Sequence, residues 1–441
     1  MPSRAAIPIV STHEYGPIVL PPALDTAQTR ERLETAGIRA GLSVFETRNR
    51  RLYARGVVGV IDIGDLIVEI LPKTRDDDSP ADGVAFLGNL LAFTGGNDSF
   101  GLTEAGIASG DDGLLEVILE WAARTISFNL RDGVPRRYTE RVEASTAVRG
   151  RVELRHLVRQ RPGRAFELTV RHAPLSEDNS VSRVVRWLVG EIGQRTRRVR
   201  TRALCLKLLQ LLSHVAPLTP NKTDVERLTL GSMEMLWSPI IGLASMFLAQ
   251  EQPNPTRGGR FPAIAILFTL HDLFEAALRR VLSEGLHVHE LALQRNSGQL
   301  LHSTVGGLGF LKLRPDFRIG SSSWAPAKIV GDAKWKRLFD GSKPLNLRES
   351  DVYQVATYMA ALRAEAGFII SPLLESESEP LRRSTFTTAG LNRPLDILGV
   401  QLASLVAPNP DSIDLRRRLC GIIAGASAWE APTADQVAMR L

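Results

Sequence analysis

The order of hydrophobic and polar residues divides the first half of the chain into a β-rich start and a helical middle. Residues 45–72 alternate apolar and polar side chains around an Ile-Gly-Asp-Leu sequence, which predicts a hairpin with a tight turn. Residues 111–133 instead place apolar residues at helical spacing and end at Gly133, which predicts a helix. The same spacing recurs over 179–198 and 204–218, so we expect two more helices there.

Residues 251–262 are rich in proline and glycine and predict a linker or exposed loop. The pattern after this segment predicts a helix over 263–285, a hairpin over 311–335, a helix over 351–366, and strands at 367–373 and 396–405. Together these elements predict a mixed α/β (α+β) protein in three parts. They are a β-rich N-terminal domain at 1–160, a helical middle segment at 161–260, and a C-terminal domain at 261–441 with a mixed sheet flanked by helices.

Composition narrows the class of protein without changing this division. The 441 residues are 44% hydrophobic, and no apolar run reaches the length of a signal peptide or a membrane helix. The two cysteines, Cys205 and Cys420, lie far apart, which is typical of a reducing compartment and excludes a cysteine-based zinc site within the chain. We therefore expect a globular, cytoplasmic protein with no membrane partner.

Charge adds one open question. The formal net charge is +6 and the sequence pI is about 9.5, a balance that is compatible with binding nucleic acid. Five arginines cluster near the end of the helix predicted at 179–198: Arg195, Arg197, Arg198, Arg200 and Arg202. They are either phosphate contacts or a solvated helix end stabilised by the helix dipole, and the sequence alone leaves both interpretations open.

Two aspartates and a lysine on the hairpin predicted at 311–335 are the main candidates for chemistry. Asp332 and Lys334 are two positions apart, so on a strand both side chains point to the same face. Asp316 precedes Asp332 by 332 − 316 = 16 residues, which is enough for one strand to turn and return beside it. Carboxylates suit Mg²⁺, and a nearby lysine can orient water or stabilise the charge of a phosphoryl transition state. The structural alternative is an exposed cross-strand charge pair.

These residues resemble the PD-(D/E)xK nuclease motif. Pro315 and Asp316 match its first half, and Asp332, Ala333 and Lys334 match its second half. The resemblance implies a restriction-endonuclease-like C-terminal domain in which Asp316 and Asp332 bind Mg²⁺. It also adds Glu275, on the preceding helix, as a further metal-site carboxylate. Gln354 and Tyr358 are four positions apart on the next helix and resemble the Q-x-x-x-Y element of some of these nucleases.

Over most of its length the chain resembles the McrC family, the nuclease subunits of McrBC-type modification-dependent restriction systems. The resemblance includes residues 56–73, 148–154 and 175–188 as well as the motifs above. It implies a protein that cuts double-stranded, modified DNA such as that carrying 5-methylcytosine, in anti-phage defence. It also implies a hexameric McrB-like AAA+ GTPase partner whose hydrolysis this chain stimulates.

The sequence is consistent with nucleotide hydrolysis in another chain, since it contains no Gly-Lys pair and therefore no P-loop of the standard kind. For docking to such a partner, the hairpin from Val57 to Ile70 and the arginines Arg131, Arg136 and Arg137 are candidates, or these arginines are ordinary surface residues. Two other functions remain open. In the first the chain is a non-catalytic activator of an AAA+ partner, and in the second it is a stand-alone repair nuclease.

Overall fold

The computed structural model describes residues 7–40, 44–48, 51–73, 79–95, 113–153, 168–248, 264–286, 292–294, 299–302, 309–320, 327–340, 343–344 and 346–425. Its helices are α1 (Ala27–Arg39), α2 (Pro80–Thr94), α3 (Leu114–Asn129), α4 (Ser180–Arg195), α5 (Val199–Leu211), α6 (Lys222–Glu226), α7 (Ser238–Leu248), α8 (Leu270–Gly285), α9 (Glu349–Leu362), α10 (Leu402–Val406) and α11 (Pro410–Gly425). Among these described residues, no helix is long and apolar enough to cross a bilayer.

Strands precede and follow the central helices. They are β1 (Ile9–His13), β2 (Pro17–Ile18), β3 (Phe45–Arg48), β4 (Arg51–Ala54), β5 (Val57–Asp62), β6 (Ile67–Leu71), β7 (Arg137–Tyr138), β8 (Arg141–Ser145), β9 (Arg151–Val152), β10 (Leu168–His172), β11 (Leu175–Ser176), β12 (Ile264–Thr269), β13 (Ala292–Gln294), β14 (Gln299–His302), β15 (Gly309–Lys312), β16 (Phe317–Gly320), β17 (Ile329–Ala333), β18 (Phe339–Asp340), β19 (Lys343–Pro344), β20 (Ala366–Leu373), β21 (Leu381–Thr388) and β22 (Arg393–Gln401). The mixed α/β fold class is therefore confirmed.

The N-terminal sheet has the order β1-β6-β5-β12 and contains the predicted hairpin. β5 and β6 pair antiparallel around a turn at Gly64, whose φ of 92° favours glycine. The turn is fixed by the N–H of Gly64, which donates to Asp62 at 2.7 Å. Almost every side chain of both strands is buried, because helices cover one face and a second hydrophobic cluster covers the other.

The fourth strand of this sheet corrects one prediction. We expected a helix over 263–285, but residues 264–269 form β12, which pairs antiparallel with β5, and α8 begins only at Leu270. A short apolar run is compatible with a buried strand as well as with a helix. Here it forms a strand, because the edge of β5 is available for pairing. At Gly59 the two backbones are so close that a Cβ would lie 2.0 Å from the carbonyl oxygen of Ile266. If the chain is divided at residue 260, β12 is assigned to the C-terminal part, although it belongs to the same sheet as β1, β5 and β6.

The middle of the chain is helical, as predicted. α3, α4 and α5 cover most of the three segments in which apolar residues recur at helical spacing. Together with α7 and α8 they enclose the largest hydrophobic cluster, which also receives side chains from both sheets. The predicted linker at 251–262 lies outside the described residues.

The C-terminal sheet has the order β13-β16-β17-β20-β22-β21. β16 and β17 form the predicted antiparallel hairpin, and β17, β20 and β22 run parallel to one another. α8 packs against one face, where Phe274 shares a cluster with Phe317, and α9 packs against the other, where Met359 shares a cluster with Ile369. The hairpin is thus held between two helices.

Candidate catalytic site

The hairpin brings the three predicted residues together where β17 ends. Asp316 immediately precedes β16, and its Oδ2 accepts a hydrogen bond from the backbone N–H of Ala333 at 2.8 Å. Asp332 is the fourth residue of β17 and is only 1% exposed. The Nζ of Lys334 lies 2.5 Å from Oδ2 of Asp332, so the two side chains share one face, as the alternation predicted.

Burial and the nearness of other carboxylates raise the pKa values of the aspartates in this cluster. Burial raises the pKa of Asp316 to about 6, and the neighbouring carboxylates of Asp332 and Glu275 add to the shift. Burial also raises the pKa of Asp332, although the ion pair with Lys334 opposes the change. For Lys334 burial lowers the pKa, but the hydrogen bond and charge of Asp332 outweigh it, and the net pKa is raised. Lys334 is therefore held as a cation.

A line of hydrogen bonds from α9 supports both halves of the motif. Nζ of Lys334 donates to Oε1 of Gln354 at 3.1 Å, and Nε2 of Gln354 donates to the Tyr358 hydroxyl at 2.9 Å. That hydroxyl donates to the carbonyl oxygen of Arg314 at 3.2 Å, two residues before Asp316. The predicted pair on α9 thus connects Lys334 to the segment that carries Asp316. Gln354 and Tyr358 therefore join the two halves of the motif through hydrogen bonds.

α8 contributes a group that sequence reasoning missed. His271 and Glu275 are one helical turn apart, and their ligand atoms lie within 4.8 Å of each other and of a carboxylate oxygen of Asp316. The i,i+4 spacing of His271 and Glu275 was the available signal, but the 316 − 271 = 45 residues to Asp316 carry no local pattern. The structure therefore brings Glu275 and Asp316 together as predicted and adds His271. It places Asp332 beside them, in contact with Lys334.

Arg279 is a second residue that the sequence did not single out. Its guanidinium pairs with Glu275 one turn earlier on α8 and donates to the carbonyl oxygen of Asp316 at 2.8 Å. The same group lies over the ring of Phe317, 5.7 Å from its centroid. Arg279 therefore fixes the distance between α8 and the start of β16, and with it the distance between Glu275 and Asp316.

The donor set fits a divalent metal ion. Three candidate ligand atoms from His271, Glu275 and Asp316 are mutually close, and the buried carboxylate of Asp332, paired with Lys334, lies near Asp316. The raised pKa of Asp316 shows that this cluster favours a cation or a proton. Two or three carboxylates suit Mg²⁺, and an imidazole also suits Mn²⁺.

The arginines near residue 200 are mostly engaged within the chain. Arg195 pairs with Glu191, and Arg198 pairs with Glu120 on α3. Arg202 donates to the carbonyl oxygen of Thr196 at 2.6 Å in the turn between α4 and α5. These contacts favour the structural interpretation over phosphate binding for these three residues.

The residues suggested for partner docking are either buried or in contact with other residues of this chain. The strands between Val57 and Ile70 are buried inside the N-terminal sheet. Arg136 pairs with Glu177, Arg137 pairs with Glu234, and Arg131 lies over the ring of Phe128. The structure therefore gives the hairpin a core role, and it agrees with the interpretation of Arg131 and Arg136 as ordinary surface residues.

One contact joins the N-terminal sheet to the candidate site. The indole N–H of Trp335, the residue after Lys334, donates to Glu14, which follows β1 and lies 3.2 Å away at Oε2. Trp335 packs its ring edge-on against Phe274 of α8, with centroids 5.6 Å apart. Burial raises the pKa of Glu14 to about 7, although hydrogen bonds from Trp335 and the backbone of Lys73 oppose the shift.

The raised pKa of Glu14 makes stability depend on pH. The native state binds the Glu14 proton more tightly than the unfolded chain does. The stabilisation from Glu14 is therefore fully present below the unfolded pKa near 4.5 and is lost as pH rises through about 7. We expect Glu14→Gln to remove this loss and to raise the free energy of unfolding at about pH 8 by up to about 2 kcal/mol over wild type. Urea unfolding at about pH 5 and about pH 8 measures this. The exposed Glu31→Gln is the matched control, and an unchanged pH dependence in Glu14→Gln would contradict the assignment.

Comparisons with known proteins identify the family of the chain. Residues 52–372, roughly three quarters of the chain, match the family described as "McrBC 5-methylcytosine restriction system component". The chain therefore belongs to this family. None of the curated proteins matches the sequence.

Two solved assemblies contain chains of similar structure. One is described as "Refined half-complex from tetradecameric assembly of Thermococcus gammatolerans McrB AAA+ hexamers with bound McrC". Its matching chain is 18% identical, with a TM-score of 0.51 over 94% of this chain and 100% of that chain. The other is described as "Cryo-EM structure of the Thermococcus gammatolerans McrBC complex", with 18% identity and a TM-score of 0.41 over 63% of this chain and 88% of that chain. At this identity the first likeness supports the fold.

Proposed function

We propose that this protein is the Mg²⁺-dependent endonuclease subunit of a modification-dependent restriction system that cuts double-stranded DNA. The observation that carries the proposal is the meeting of Asp316, Asp332 and Lys334 with Glu275 at one end of β17. Family membership supports the restriction system, and 5-methylcytosine is the modification named in the family description. The PD-(D/E)xK resemblance supports hydrolysis of a phosphodiester as the reaction.

In this proposal the carboxylates and His271 hold the metal. His271, Glu275, Asp316 and Asp332 would be its ligands, and bound Mg²⁺ would polarise a phosphoryl oxygen and lower the pKa of a water. The protons that keep Asp316 neutral below about pH 6 compete with the metal, so ionised Asp316 is the form that binds it. Arg279 supports this form by holding Glu275 and the Asp316 backbone in place.

Lys334 acts as a fixed cation. Because its pKa is raised, the ammonium group carries its proton and can stabilise the negative charge that develops on the phosphoryl group under attack. Gln354 accepts from Nζ and sets the direction of the ammonium group, so the charge is aligned before substrate arrives. Attack by water forms a new P–O bond and breaks the one to the leaving oxygen; the attacking water gives up a proton to solvent, and the leaving oxygen takes one up from solvent.

We also propose that the chain works with a hexameric McrB-like AAA+ GTPase and stimulates its hydrolysis. The sequence has no P-loop of the standard kind, which is consistent with nucleotide hydrolysis in another chain. The solved assembly of similar fold contains McrB AAA+ hexamers with bound McrC. Such a partner would supply both the motor and the reader of modified DNA.

The test is cleavage of plasmid DNA, methylated at cytosine or unmethylated, by the purified chain with and without the AAA+ protein encoded beside it. We expect cutting only of methylated plasmid, and only with partner, GTP and Mg²⁺ present. A chelator should abolish cutting and restoring Mg²⁺ should recover it. Stimulated hydrolysis without any cutting would make the chain an activator. Cutting by the chain alone would make it a stand-alone nuclease.

A further inference from the structure

A pocket lies at the carboxyl edge of the C-terminal sheet, beside the segment that follows Lys334. Its volume is about 900 Å³, and its lining includes Trp335, Lys336 and Arg337, which directly follow Lys334. It also includes residues 372–375 and Leu402, where the parallel strands β20 and β22 end. In open α/β sheets ligands bind outside the carboxyl ends of parallel strands, so this is a favourable place for one. We call it the carboxyl-edge pocket.

Positive charge dominates its walls. Four cationic side chains line it, against two carboxylates: Lys73, Lys336, Arg337 and Arg348, with Glu14 and Glu375. Lys336 also pairs with Asp351, whereas the side chain of exposed Arg348 has no hydrogen bond or ion pair among the described residues. Because burial raises the pKa of Glu14 to about 7, this carboxyl is partly neutral near pH 7. An anion therefore meets little repulsion here.

An aromatic ring stands at the same pocket. Tyr15 is 66% exposed and lines the pocket with Trp335. Its backbone φ is 60°, a conformation that costs non-glycine residues about 1 kcal/mol or more. A hydrogen bond from its N–H to the carbonyl oxygen of Ala54 at 3.0 Å holds it there. Trp335 is fixed by Phe274 and Glu14, so it forms a rigid wall, and Tyr15 is the ring with an open face.

We propose that the carboxyl-edge pocket binds one nucleotide of the DNA strand that is cut at Lys334. Aromatic faces combined with cations bind the bases and phosphates of single strands without sequence preference. The pocket volume of about 900 Å³ lies within the range of roughly 300–1,000 Å³ for small-ligand sites. The inference rests on the proposed nuclease function. A free nucleoside phosphate has the same chemistry, but three of the lining residues directly follow Lys334 in the chain, and this favours a nucleotide that is still part of the strand.

The test measures binding of a fluorescent single-stranded oligonucleotide of about 12 nucleotides to the full-length chain. The Asp332→Asn background prevents cutting during the measurement. We expect Arg348→Ala to weaken binding by about tenfold and to lower the slope of log Kd against log salt by about 0.7, one phosphate contact. Tyr15→Leu should weaken binding by about tenfold with no change in the salt slope, because it removes stacking and no charge. Arg417→Ala, an exposed arginine on α11 away from the pocket, is the matched control and should bind as the parent does.

Photo-crosslinking locates the strand independently of affinity. An oligonucleotide carrying 5-iododeoxyuridine should crosslink to Tyr15, and the Tyr15→Leu variant should lose that adduct. Displacement of the oligonucleotide by equimolar GTP would assign the pocket to free nucleotide and overturn the proposal. Unchanged affinity and salt slope in Arg348→Ala would also overturn it, even if the wild-type complex cuts DNA. Normal binding by a wild-type complex that never cuts would instead reject the nuclease function.

Discussion

We expect the Asp332→Asn variant to lose DNA cleavage by about 10³-fold in the complete mixture with partner, nucleotide and Mg²⁺, and still to stimulate the partner's hydrolysis. Asparagine keeps the shape of the side chain but removes the charge that pairs with Lys334 and that, in the proposed function, binds the metal. Because Asp332 is 1% exposed and burial raises its pKa, the neutral amide relieves a buried charge. The same change leaves the ammonium group of Lys334 without its partner, so the two effects oppose each other and we expect the thermal unfolding midpoint to change little.

This combination distinguishes a catalytic role from a structural one. A structural aspartate would lower the unfolding midpoint when replaced, and activity would fall only in proportion to unfolding. The decisive measurement is plasmid cleavage alongside calorimetry on the same sample. If Asp332→Asn cleaves like wild type, the site proposed here does no chemistry, and the chain is better explained as an activator.

The second large effect is expected for Lys334→Met, with a loss of cleavage of about 10² to 10³-fold. Methionine keeps the length of the side chain but removes the cation that lies between Asp332 and Gln354. Metal binding should persist, because Lys334 is not a ligand. Binding of Mn²⁺, followed by its paramagnetic resonance signal, tests this without relying on activity.

Two further variants test whether the effect of Lys334→Met comes from the charge and orientation of Lys334. Gln354→Leu should reduce cleavage by only about tenfold, because it leaves the ammonium group present but loosely oriented. Lys328→Met, at the opposite end of β17, is the matched control and should cleave normally. Equal losses in Lys334→Met and Lys328→Met would show that the effect comes from the strand and not from the charge at the site.

Local patterns predicted the parts of this site that lie close together in sequence. The alternation of a strand placed Asp332 and Lys334 on one face, and helical spacing placed Gln354 and Tyr358 in contact. The β5 and β6 hairpin also followed from alternation and one turn. In each case the interacting residues are within one element or one hairpin.

Contacts between distant segments could not be predicted in this way. The apolar run at 264–269 fits strand and helix equally well, and only the unpaired edge of β5 makes it a strand. His271 enters the site because α8 packs beside β16, and Arg279 fixes that packing through a carbonyl 37 residues away. Trp335 and Glu14 are 321 residues apart. These pairings depend on tertiary structure, which periodicity does not encode.

The direct passage from β12 into α8 has a mechanical consequence. Thr269 ends the strand and caps the helix, so the 16-residue helix, about 24 Å long, is a lever with its pivot at the edge of the N-terminal sheet. His271 is only about 3 Å along the axis from that pivot. A tilt of about 5° would move the far end by about 2 Å but His271 by only about 0.3 Å. The position of His271 is therefore insensitive to tilting and responds mainly to sliding of β12 along β5.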